Sequence, residues 1–133
     1  MNFVDNLVSL AAGNSQTVLL LTRIILGAVM VYHGWPKIKD LKANGSNFTQ
    51  MGFKPGIFWG TIVAIVEFFG GLGMLIGLYS EIAAILFGLQ MIVGTIWQIK
   101  IGKKFPDYSV DLQLLVLCLV ILTFGPGRLV VNL

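Results

Sequence analysis

Apolar residues in this chain neither alternate nor gather into narrow stripes; they run on. Four stretches, 17–35, 57–78, 82–99 and 110–131, are almost free of charge. About 20 apolar residues in a helix cross the ~30 Å of hydrocarbon in a bilayer. The pattern therefore predicts an all-α integral membrane protein, a single domain over 1–133 folded as an antiparallel bundle of four transmembrane helices. Ahead of the first span, Phe3, Val4, Leu7, Val8, Leu10 and Ala11 recur at helical spacing opposite Asp5, Asn6 and Ser9. That spacing predicts a short N-terminal helix lying in the membrane interface. Asn14 or Ser15 is placed to cap the first span.

The connections read as follows. Residues 37–56 are rich in Lys, Gly, Asn and Ser and are expected to form a loop, with a short interfacial segment around 48–53. Residues 79–81 make a tight turn, and 100–107 a second basic loop ahead of the last span. Gly125-Pro126-Gly127 should break the last helix near its end. Two glycosylation-type triplets start at Asn44 and Asn47, a motif short enough to arise by chance.

Composition agrees. The chain is 56% hydrophobic and 11% charged, with mean hydropathy +0.88, whereas soluble domains carry about 25% charged residues. The net charge of +3 is spread over two short loops, which excludes a nucleic-acid face. Cys118 is the only cysteine, so neither an intrachain disulfide nor dithiol exchange is available. His33 is the only histidine, which leaves no bis-His haem and no metal site supplied by this chain. Residues 1–16 hold no Lys or Arg, unlike the basic start of a cleavable signal. All seven lysines flank the two odd-numbered connections between spans. The positive-inside rule then puts these loops in the cytoplasm and both termini outside, with the cell (cytoplasmic) membrane as the expected location.

A few polar groups interrupt the spans. Glu67 shares a helical stripe with Gly60, Val63, Gly70, Gly71, Met74 and Gly77, which should turn it into a tight helix interface. Arg23 shares a face with Gly27, Met30 and Gly34. Its depth differs from that of Glu67 by about 7 Å at 1.5 Å per residue, so the two are expected to meet. Gln90 lies at nearly the depth of Glu67, and Arg23, Glu67 and Gln90 are expected to form one intramembrane polar cluster. It would serve as a structural tie or as a site for protons or a ligand. Towards the other end, His33, Trp35, Trp59 and Asp111 form the richest set of aromatic and titratable groups. Aromatics there commonly mark the headgroup belt; the same set could also hold a quinone, with His33 as its polar contact.

The motifs add a resemblance. Arg23-Ile24-Ile25-Leu26-Gly27 is followed by His33-Gly34-Trp35-Pro36-Lys37. Then come Glu67-Phe68-Phe69-Gly70-Gly71 and the terminal Gly125-Pro126-Gly127-Arg128. In this order the chain resembles the DoxX family of small four-helix membrane proteins. Family members often continue the last motif with Ser and a closing Asp, where this chain has Val130-Val131-Asn132. The resemblance implies association with quinone-linked respiratory or sulfur-redox systems. The expected role is an accessory subunit without its own redox centre, touching lipid, other membrane redox subunits or further copies of itself, with quinone as the ligand in reach. The alternatives are a self-sufficient quinone-linked oxidoreductase and a small proton or solute transporter.

Overall fold

The structure is a computed structural model that describes residues 2–131. Within them the chain is all helix. α1 spans Phe3–Ala12, α2 Ser15–Lys39, α3 Leu41–Gln50, α4 Gly56–Ile76, α5 Ser80–Lys100 and α6 Phe105–Phe124. Four of these, α2, α4, α5 and α6, are long and apolar enough to cross a membrane. They form two antiparallel hairpins, α2 with α4 and α5 with α6, joined where α4 meets α5 and where α2 meets α6.

The bundle is inverted relative to a soluble one. Ile, Leu, Val and Phe side chains cover the outside of every span, while Arg23 and Glu67 are buried. Lipid tails are as apolar as leucine, so burial of leucine drives nothing here. Close packing and polar contacts hold the helices instead. The α2–α4 seam shows how. A Cβ on Gly34 would stand 2.5 Å from the Phe68 amide nitrogen, and one on Gly27 would stand 2.8 Å from the Gly71 carbonyl oxygen. Backbone therefore touches backbone along this seam. Between the hairpins the core is built of side chains, with Leu26, Met30, Met74, Ala84, Phe87, Cys118 and Ile121 buried together.

Three boundaries differ from expectation. The first span does not stop at residue 35. Helix α2 runs on through Pro36 to Lys39. The polar connection that follows is not a loop with an interfacial piece at 48–53 but largely the helix α3, packed on the start of α4. The Asn44 side chain donates to the Gly60 carbonyl at 2.8 Å, and a Cβ on Gly45 would fall 2.9 Å from Ile57 Cα. Asn44 is buried, so its glycosylation triplet is sterically closed. The last helix starts earlier than expected, at Phe105, where the Lys104 amide donates to Asp107 at 3.0 Å. It ends at Phe124, at the break expected from Gly125-Pro126-Gly127, where Gly125 has φ +78. Residues 125–131 then cross back over the ends of α2 and α4 as a strap. The Val131 amide donates to the Ile76 carbonyl at 3.0 Å, and the Arg128 amide to Gln16 Oε1 at 2.8 Å.

The N-terminal helix is present as expected. Asn2 and Asp5 cap it reciprocally, at 2.8 Å and 3.2 Å, and its apolar residues all remain exposed. Asn14 does not cap α2 with its side chain; it donates backwards to the Leu10 carbonyl at 2.7 Å. The bundle thus has two distinct ends. The strap end carries α1, the α4–α5 turn and residues 125–131; the basic end carries α3 and all seven lysines.

Candidate functional site

The charged side chains inside the bundle are arranged by helix direction. A helical side chain leans towards the N-terminus of its own helix. On α2, that is towards the strap end. Arg23, fully buried, leans that way and donates from Nη1 to the Pro126 carbonyl at 3.2 Å. Gly77, at φ +79, leaves the room it needs, since a Cβ there would collide with Nη1. Lys37, near the basic end of α2, leans the same way, into the bundle. Glu67 on the antiparallel α4 leans down to meet it, and Lys37 Nζ lies 2.6 Å from Glu67 Oε2. Gly34 makes the approach possible by letting α2 rest on the Glu67–Phe68 backbone.

The same rule builds a second pair on the other hairpin. Gln98 of α5 leans towards the strap end and Asp111 of α6 towards the basic end, and Gln98 Nε2 donates to Asp111 Oδ2 at 2.7 Å. Asp111 also rests against Gly94, where a Cβ would be 3.1 Å away. His33 and Lys37 lie within electrostatic reach of Asp111. One polar layer in the basic half therefore draws on all four spans: His33 and Lys37, Glu67, Gln98, and Asp111. Elsewhere on α5, the buried oxygens Gln90 Oε1 and Thr95 Oγ1 have no hydrogen-bond partner among the described residues.

Outside this layer, against α2, runs an open groove of about 580 Å³ lined by Ala28, Val31, Tyr32, His33, Trp35, Pro36 and Leu75. Tyr32 meets His33 edge to face at 5.5 Å between centroids. Trp35 packs on Phe68 at 5.6 Å with Lys39 over its ring. His33 belongs to both the groove and the charged layer.

The arrangement corrects two expectations. Arg23, Glu67 and Gln90 do not form one cluster, because Arg23 turns to the strap, Glu67 pairs with Lys37, and Gln90 Oε1 bonds to neither. Trp59 is not a wall of the His33 groove; it stacks edge to face on Phe58 at 5.0 Å and is half exposed on α4. His33 and Trp35 do share the groove, and Asp111 accepts its hydrogen bond from Gln98, not from His33. Lys37, singled out only as part of the motif, was not expected to be the partner of Glu67. Its signal was the continuation of helical spacing past Pro36, which puts it one turn from Gly34 on the Arg23 face. Among the motif glycines, Gly71 rests on α2, Gly70 under the Phe87 ring, and Gly127 against Leu19 and Gln16. Arg128 is exposed and contributes its amide. No three His, Cys, Asp or Glu side chains converge in metal-ligating geometry among the described residues.

Comparison with known proteins gives a consistent result. The DoxX family model matches residues 18–99. The chain is 30% identical over 86 residues to a Bacillus subtilis (strain 168) protein described as "Putative oxidoreductase CatD". That match spans 65% of this chain and 62% of the relative's length. No solved structure matches it. The matched region holds Arg23, His33, Gly34, Lys37, Glu67 and the paired glycines, the residues that make the seam and most of the charged layer, and on this basis the chain belongs to the DoxX family.

Proposed function

We propose that this protein is a small accessory subunit of a quinone-linked redox complex, placing a quinone headgroup beside a proton-handling layer while a partner protein moves the electrons. The observation that carries the reading is the double membership of His33. It lines a groove open to the lipid side, which a membrane-dissolved ligand enters sideways, and it stands beside the charged layer of Lys37, Glu67 and Asp111. Ligand sites are mostly apolar with a few convergent polar groups, and the groove has that composition. A quinone supplies two carbonyl oxygens and the capacity to take up electrons with protons. His33 donates a hydrogen bond to one carbonyl, Trp35 flanks the ring, and Asp111 exchanges the His33 proton. The oxidoreductase name of the Bacillus relative supports a redox setting.

In this reading the basic end faces the cytoplasm and both termini lie outside, because all seven lysines stand at that end; the DoxX relative from Bacillus suits a bacterial inner membrane. Reporter fusions after residue 131 and within α3 check the orientation. Purification in mild detergent, followed by quinone extraction and identification of haem- or flavin-bearing partners, checks the function. His33→Phe should lower bound quinone at least tenfold and leave the bundle assembled. Unchanged quinone content in the assembled variant, or a protein that purifies with neither quinone nor redox partner, sinks the proposal.

A further inference from the structure

A second groove lies at the basic end, between α3 and the start of α4. It measures about 450 Å³ and is lined by Lys42, Gly45, Ser46, Thr49, Lys54, Pro55, Gly56 and Ile57. Its lining is mostly apolar, with Gly45 and Gly56 buried and Lys42 and Lys54 exposed. Neither Lys42 nor Lys54 has a salt-bridge partner among the described residues. The groove straddles the level where the polar connection ends and the apolar span begins, since Lys54 and Ile57 are only three positions apart. Trp59 and Phe58, exposed just beyond it, mark the same headgroup depth.

We propose that this groove holds the headgroup of one anionic phospholipid, with the phosphate between Lys42 and Lys54 and an acyl chain descending along Ile57. Three features favour a lipid over a free anion. The lining is mostly apolar, which a bare phosphate does not use. The opening is at the membrane surface, where lipid is present at very high local concentration. The cations stand on the rim and not at the bottom, as an amphiphile requires. Basic pockets beside transmembrane helices recognise such headgroups through paired Lys and Arg. The Ser46 hydroxyl adds a hydrogen-bonding group on the same rim. The start of α4 has no side-chain cap, so the positive end of the helix dipole adds to the attraction without being its source. Tight packing of α3 on α4 through Gly45, Gly56 and Asn44 fixes the groove's shape. A bound lipid would therefore fasten α3 to the membrane surface.

The test is native mass spectrometry of the full chain in mild detergent, titrated with phosphatidylglycerol or phosphatidylcholine. One phosphatidylglycerol should be retained at least tenfold more tightly than phosphatidylcholine. Lys42→Gln with Lys54→Gln should weaken that binding by roughly thirtyfold, about fivefold per lysine. Lys103→Gln with Lys104→Gln, at the same end but outside the groove, should leave it unchanged. Ser46→Glu, which keeps both lysines and puts a negative charge on the rim, should also expel the lipid, and it serves if the double lysine variant does not assemble. The proposal is overturned by equal retention of both lipids, by an equal loss in the Lys103/Lys104 pair, or by displacement of phosphatidylglycerol with glycerol phosphate at similar concentration. The last result would mark a free-phosphate site.

Discussion

Helix α2 carries two cations into the bundle, and they meet opposite fates. Arg23, towards the strap end, is buried and finds only a backbone carbonyl, that of Pro126. Lys37, towards the basic end, finds a carboxylate and stands within reach of a second, Asp111. Both side chains lean the same way along the same helix. What differs is the chain that waits for them. The strap end offers a closed turn of Gly-Pro-Gly; the basic end offers acids on two other helices and a groove beside them. A buried cation held by one carbonyl closes a structure. In the proposed reading, a layer with titratable groups from α2, α4 and α6 and the Gln98 amide from α5 exchanges protons. On the proposed function, one end of α2 is structural and the other carries the chemistry.

The most severe way to break this contrast is to part α2 from α4. Gly34→Leu forces a side chain into the Glu67–Phe68 backbone. Overpacking costs about 1–3 kcal/mol when side chains can give way, and backbone cannot. A loss of about 3 kcal/mol or more is expected in mixed-micelle unfolding, with no assembled protein in mild conditions. Gly88→Ala is the control. Its Cβ would meet Leu115 and Cys118 side chains at an ordinary 3.6–3.8 Å, and the variant should unfold within about 0.5 kcal/mol of the parent. Equal losses would mean that the α2–α4 seam is not special.

Next comes the ion pair. Breaking a buried pair by removing one partner costs about 3–5 kcal/mol in soluble proteins. Lys37 is 28% exposed and Glu67 7%, and the partial exposure of Lys37 lowers that cost. Lys37→Met should therefore cost about 2 kcal/mol. Glu67→Gln should cost about as much, and the double variant about 1 kcal/mol less than the sum. Additive losses would remove Lys37–Glu67 from the site.

Arg23→Met should matter less to stability. It gives up one charge-assisted hydrogen bond, but it also removes a buried cation, for a net loss of about 1 kcal/mol. The distinctive outcome is local: residues 125–131 should become open to carboxypeptidase while the four spans stay assembled. If Arg23→Met instead dismantled the bundle as Gly34→Leu does, the strap end would be part of the frame and not a closure.

The four spans were plain in the sequence, because hydropathy over twenty residues answers to the thickness of a bilayer and to little else. Helix α3 was not. Its sequence, with Asn, Gly and Ser, has weak helical preference, and what makes it a helix is contact with α4 through Gly45 and Asn44. The pairing of the charges was half legible. Depth and glycine spacing put Arg23, Glu67 and the seam on facing surfaces. Counting depth at Cα, however, ignored the lean of side chains towards their own N-termini. That lean carries Arg23 away from Glu67 and brings Lys37, counted as a loop residue, up to it. Two residues of equal charge on one helix were separable only by direction. The break at Gly125-Pro126-Gly127 was legible, but the strap beyond it was not, because Leu129, Val130 and Val131 are as apolar as a span.

The smallest expected effect is also the sharpest discriminator at the basic end. Gln90 Oε1, in the middle of α5, is buried and has no partner among the described residues. A buried acceptor without a donor costs stability, and replacing it with an apolar group of similar size is often neutral or favourable. Gln90→Leu should thus leave unfolding unchanged or raise stability by up to about 1 kcal/mol in the detergent-purified protein. A structural Gln90 predicts a loss instead, because some contact would be removed. A Gln90 that serves a ligand predicts a split between two measurements. Stability alone stays level, while the stabilisation gained on adding a quinone falls in Gln90→Leu as it does in His33→Phe. If adding quinone protects Gln90→Leu as fully as the parent, the ligand does not reach α5, and the site is confined to the groove on α2.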